Sequence, residues 1–251
     1  MSGACGTALF YWYNLTFLCL WHETSRSRKE PMGFFSSSVG RKMVMAVTGQ
    51  AMVLFVIVHL IGNSLIFEGP DGINAYAEHL RRFPPLVWMF RLSMLVFFVT
   101  HAWYGIRLTL ENRAAKPHQT VARRYLTAGF AGETMIWTGL LLGIFVIFHL
   151  LQFTIRVTPD VVQKMDAAGR YDVFAMVVAS FRRLPVVSLY VAAMAVLFLH
   201  LVHGIQSFFQ TMGWSSERSR PVIIKVGSGL AVIFLAGYSA IPLSVLLHIV
   251  G

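Results

Sequence analysis

The sequence predicts an all-α integral membrane protein, a bundle of five transmembrane helices built on an internal two-helix repeat. Three observations predict it. More than half of the 251 residues are apolar and only 13% are charged, against roughly a quarter in an ordinary soluble domain. Charge-free runs recur at the length a bilayer demands, since ~30 Å of hydrocarbon takes ~20 helical residues to cross. One pattern of threonine, glycine and histidine also appears twice, in the same order, in consecutive pairs of these runs.

The runs are Met43–Phe67, Thr134–Ile155, Leu184–Ser216 and Val226–Gly251. Leu92–Ile106 is shorter and becomes a span when Arg91 and Arg107 at its ends snorkel or meet an anionic partner. The expected spans are therefore 42–67, 86–110, 130–155, 186–212 and 223–249, with every connection after the first two a simple turn or small loop. Interior glycines suit close helix packing in lipid.

Residues 33–251 thus form the membrane domain, and residues 1–32 stand apart. Ala4–Trp21 is apolar and aromatic but contains Asn14 and Thr16, and it lacks the basic start and small-residue cleavage site of a signal peptide. It reads either as an interfacial helix lying against the membrane or as a dispensable extension ahead of Met32. The two cysteines, Cys5 and Cys19, form neither a C-x-x-C-H haem-attachment motif nor a zinc spacing.

A formal charge of +10 does not point to nucleic acid, because no basic stripe or reader motif accompanies it. The basic residues sit between the apolar runs. Thirteen fall on the side of Arg26, Arg41, Lys42, Arg107, Arg124 and Lys225, and eight on the side of Arg81, Arg82, Arg91, Arg156 and Arg183. Positive-inside bias places the N-terminus in the cytoplasm and the C-terminus outside the cell's inner (plasma) membrane.

Five of the nine histidines lie deep in apolar helix: His59, His101, His149, His200 and His203. A lone imidazole at that depth can satisfy itself against a neighbouring helix. Four helices each offering one argue for a site, because ionisable groups in the membrane are costly. Span one carries Thr48-Gly49, nine residues and His59; span three carries Thr138-Gly139, nine residues and His149. Spans two and four carry H-x3-G-I, at His101 to Gly105 and at His200 to Gly204. Counting ~1.5 Å per residue from the inner helix ends puts His59 and His149 on an outer level and His101 and His200 ~10 Å further in.

Two histidines per level, with no thiolate or carboxylate, are too few for a closed zinc site. They suit haem iron, which already has four porphyrin nitrogens and needs two axial ligands. The expectation is two b haems, stacked across the membrane for electron transfer. Gly105 and Gly204 leave room for a flat macrocycle, and Thr48 and Gly49 belong to the same cofactor-facing motif. Arg41, Lys42 and Arg107 can hold inner propionates; Arg91, Arg156, Arg182 or Arg183 can hold outer ones. His203 is about 60° off the face of His200 and stands where span two has Tyr104, so it is expected beside the cofactor rather than on the metal.

At these residues the chain resembles the five-helix, single-subunit cytochrome b anchor of succinate dehydrogenase and fumarate reductase. The resemblance covers about residues 33–251 and rests on the helix ending in His59, the H-A-x-Y-G stretch at His101, the His149 helix, and H-x3-G-I-x-S-F from His200 to Phe208. It implies that His59, His101, His149 and His200 ligate two haems, and that a flavoprotein and an iron–sulfur subunit dock on the cytoplasmic face. It also implies a quinone partner, commonly menaquinone. The chain would then be the quinone-reactive subunit of a succinate:quinone oxidoreductase, with no dicarboxylate chemistry of its own. Some fumarate-reducing members carry an acid near the fourth-span ligand. Phe198 and its neighbours offer none, which favours succinate oxidation.

The rival readings are a cytochrome b subunit of another quinone-linked dehydrogenase, of hydrogenase or formate dehydrogenase type, a stand-alone transmembrane ferric reductase, and a haem-free transporter. For quinone, the outer connection offers Glu78 and His79 as proton groups, beside Arg81 and Arg82 and just beyond the level of His59.

Overall fold

The structure, a computed structural model, describes residues 33–35, 37–115, 134–159, 161 and 164–251. The expectations for residues 1–32, and for Lys116, His118, Arg123 and Arg124, fall outside the described residues. The chain divides into two compact units, Met1–Arg41 and Lys42–Gly251, and the membrane bundle belongs to the second.

Seven α-helices occur among the described residues: α1 Ser38–Ser64, α2 Pro70–Arg81, α3 Pro84–Ala114, α4 Met135–His149, α5 Val173–Phe181, α6 Leu184–Thr211 and α7 Arg220–Leu246. A 3₁₀ turn extends α1 to Glu68, and a π-helical stretch, Leu150–Ile155, extends α4. With these extensions five helices are long and apolar enough to cross a membrane: α1, α3, α4, α6 and α7. This is a multi-pass membrane protein. Prolines start α2, α3, α6 and α7 within their first two positions, where the missing N–H costs nothing.

Lipid, not water, is the solvent these helices are written for. Leu54, Ile61, Trp103 and Ile144 turn more than half of their surface outward, while Thr48, Thr138 and Gln152 are buried. That inversion is the packing logic of membrane bundles, where small and polar groups hold helices together. Helix α6 packs along both α4 and α7, and α3 along α4. Helix α7 meets α1 closely at Gly237, where an added Cβ would lie 2.9 Å from Leu60. Beside that contact the Tyr238 hydroxyl donates to the Val56 carbonyl at 2.7 Å.

One expectation needs correcting. The third connection is not a small loop, because it carries α5 and a bridge between Met165 and Tyr171. Its apolar residues Met176, Val177 and Phe181 join Ile66 and Ile73 of the first outer connection in one core. A buried amide fastens the two connections. Asn74 Nδ2 donates to Asp166 at 3.3 Å and to Asp172 at 3.1 Å, and its Oδ1 accepts from the Phe174 amide at 2.9 Å. Arg170 donates to both Asp71 and Asp166. Each of these connecting helices then runs through Arg-Arg-x-Pro into the next span, Arg81 to Pro84 in one half and Arg182 to Pro185 in the other. The internal repeat therefore reaches beyond the histidine motifs.

Candidate functional site

Helices α1 and α4 bring His59 and His149 together edge-on, with ring centroids 5.9 Å apart and planes at 86°. Helices α3 and α6 do the same for His101 and His200, at 6.2 Å and 69°. Each pair thus joins corresponding helices of the two repeats.

The spacing can be tested against a metal. Imidazole nitrogens bind metals at ~2.0 Å and lie ~1.1 Å from their ring centres, so two imidazoles on opposite sides of one metal hold their centroids ~6.2 Å apart. Both pairs stand close to that separation. Among the described residues no group of three or more His, Cys, Asp or Glu side chains converges on a point. A pair alone suits a metal that arrives with its own equatorial ligands, as haem iron does. Space is available as well. A Cβ on Gly204 would meet nothing within 4 Å, and one on Gly105 only the Met45 sulfur at 3.8 Å.

The repeated Thr-Gly motif acquires a physical role here. A Cβ on Gly49 would lie 2.9 Å from His101 Cε1, and one on Gly139 would lie 3.4 Å from His200 Cε1. Each glycine is the floor on which the inner histidine of the next span rests. His101 Nδ1 lies 2.9 Å from the Met45 carbonyl; a carbonyl only accepts, so that nitrogen carries the proton and Nε2 keeps its lone pair. His200 Nδ1 lies 3.1 Å from the Thr138 hydroxyl. That hydroxyl also has the Thr134 and Met135 carbonyls at 3.2 and 3.0 Å, and donating to either leaves its lone pairs to accept from His200. Thr48 makes the equivalent bonds to the Val44 and Met45 carbonyls of its own helix but lacks this duty, since His101 takes the Met45 carbonyl instead.

The outer pair is held differently. The His59 ring stacks on Phe55, with centroids 5.1 Å apart and planes at 21°. His149 Nδ1 lies 3.0 Å from the Tyr190 hydroxyl, which donates to Gln152 Oε1 at 2.7 Å. The phenol has one proton and gives it to Gln152, so it accepts from His149. Outer-sphere bonds of this kind orient a metal-binding imidazole and fix its tautomer.

The predicted cations distribute unevenly. Arg156, in a left-handed turn at φ 65° after the π-helical stretch, lays its guanidinium 4.2 Å from the Tyr171 ring centre. Arg81 approaches the same ring at 4.6 Å. Burial pushes Arg81 below its ordinary pKa, and the neighbouring charges of Arg156 and Arg91 push the same way. These arginines make a concentrated positive region at the end of the spans nearer His59 and His149. Arg91 lies over Trp88 at 5.4 Å. Arg107 pairs with Glu111 at 3.0 Å, and Arg182 caps the C-terminus of α5. Arg41 and Lys42 lie in the first turns of α1. His203 is half-buried one turn beyond His200. Glu78 pairs with Arg82 at 3.1 Å, and the His79 ring meets Phe83. These partners of Glu78 and His79 both lie in the turn between α2 and α3.

Sequence reasoning missed Tyr190, Gln152 and Tyr171. Gln152 offered a signal, a lone amide three residues after a buried histidine in an apolar run.

The model of one family, the succinate dehydrogenase/fumarate reductase transmembrane subunit, matches residues 21–132 and again residues 109–236. Neither the curated proteins nor the solved structures gave a match.

Proposed function

The chain belongs to the succinate dehydrogenase/fumarate reductase transmembrane subunit family, and we propose that it is the cytochrome b anchor of such a complex. In this reading His59 with His149, and His101 with His200, hold two b haems. The chain then passes electrons between a cytoplasmic flavoprotein and iron–sulfur pair and a membrane quinone, commonly menaquinone. The observation that carries the reading is the two facing imidazole pairs, at 5.9 and 6.2 Å, on four different spans. When bound, each haem supplies a one-electron ferric/ferrous couple.

The chain's own residues do the rest. His59 with His149, and His101 with His200, would give each haem iron two imidazole ligands, a set suited to electron transfer rather than oxygen binding. Met45, Thr138 and Tyr190 each bond the Nδ1 side of one imidazole, which orients the ring and would leave its Nε2 to hold a haem iron. Arg81, Arg91 and Arg156 offer positive charge for propionates at the outer level. The apolar faces of the spans keep water away, so an electron crosses without open hydration of the pathway. Haems held at the two levels would divide the crossing into two shorter steps. Succinate chemistry stays with the partner subunits.

The test is haem content and spectrum. Chain purified from membranes should contain two b haems per polypeptide by pyridine haemochrome, with two components in a redox titration. A covalent flavoprotein should co-purify under mild detergent. Chain purified without haem from haem-replete cells would overturn the reading.

A further inference from the structure

The outer histidines belong to equivalent helices of the repeat, yet only one is tied into a buried polar chain. Tyr190 is 7% exposed, its ring packed among Phe145, Phe153 and Phe181, and Gln152 is fully buried. Two polar side chains at that depth are costly unless bonded. Here they bond in series from His149 to Tyr190 to Gln152, at 3.0 and 2.7 Å. Gln152 lies in the π-helical stretch that follows His149. Such stretches often mark functional positions in helices. At the place where α4 has Gln152, three residues beyond the histidine, α1 has Gly62. A Cβ there would collide with Tyr76 of α2 at 2.7 Å, so the matching position was given to packing.

We propose that Tyr190, held in place by Gln152, is a positioning residue for the outer haem, setting the plane and electron density of the His149 imidazole. The inference rests on the di-haem reading above. Donation from Nδ1–H to a phenol that is itself donating onward draws proton density off the ring and makes Nε2 a stronger donor to iron. A stronger donor favours the ferric state, so the chain of bonds lowers the outer potential. The bond to Tyr190 also restrains ring rotation, keeping the His149 plane near-perpendicular to that of His59.

The experiment is Tyr190→Phe in the purified complex, compared with wild type by haem content, redox titration and low-spin EPR. Expected are two haems per chain, an upward shift of the outer component's midpoint, a changed outer EPR g-value and an unaltered inner component. Gln152→Met keeps volume but removes the terminal acceptor. It should move the outer component in the same direction by less, and it provides the measurement if Tyr190→Phe fails to assemble. Wild-type-like outer potential and EPR in whichever variant assembles with both haems would overturn the inference while leaving the di-haem reading intact. So would a shift confined to the inner component. Wild-type chain without haem would instead overturn the di-haem reading.

Discussion

The inner and outer histidine pairs differ in what supports them. The inner pair is nearly symmetric. His101 and His200 each rest on a glycine of the preceding span and each find an acceptor within one turn of it, the Met45 carbonyl or the Thr138 hydroxyl. The outer pair is asymmetric, with His59 held by stacking on Phe55 and His149 by Tyr190 and Gln152. A repeated motif thus keeps its geometry where it is used twice in the same way. It diverges where the two halves meet different surroundings, here the unlike outer connections carrying α2 and α5.

The comparison breaks most visibly at the ligands themselves. His59→Leu or His149→Leu should remove the outer spectral component and largely spare the inner, and His101→Leu or His200→Leu the reverse. Loss of the same component in His59→Leu and His101→Leu would dismantle the pairing.

A sharper probe lies in the glycine floors. Gly49→Ala places a methyl 2.9 Å from the His101 ring, whereas Gly139→Ala reaches only 3.4 Å from His200. The first should displace its histidine and deplete the inner haem; the second should retain both. Haem-to-protein ratios would decide it, and equal ratios would show that both floors yield alike.

Smaller again is the threonine contrast. Thr138→Val removes the acceptor of a buried ring N–H and should weaken inner haem retention by roughly 10–100-fold. Thr48→Val removes only bonds within its own helix and should leave retention close to wild type. Haem-loss rates to apomyoglobin measure both.

The smallest effect is expected at His203. His203→Asn should keep two haems with at most a modest potential shift, because Thr138 faces His200 and not its neighbour. Loss of the inner component would mean that His203 occupies the metal-facing place instead.

How much of this was legible beforehand varies with the range of the interaction. The spans were readable because bilayer thickness imposes a length and a composition on each helix separately. The expected starts and ends near 42–67 and 186–212 agree closely with Ser38–Glu68 and Leu184–Thr211. The third connection was misjudged because its order comes from Asn74, about a hundred residues away in α2, a contact that no spacing along the third connection itself announces.

The sequence by itself determined the membrane class, the five crossings, the repeat and the four histidines, since each follows from local composition or from spacing along one helix. Only the tertiary structure decided that Gly49 and Gly139 are floors for histidines of the next span, that Thr138 has a duty Thr48 lacks, and that Tyr190 and Gln152 stand behind His149. Those facts depend on which helix faces which and how closely, and an imidazole's proton goes wherever the neighbouring helix presents an acceptor.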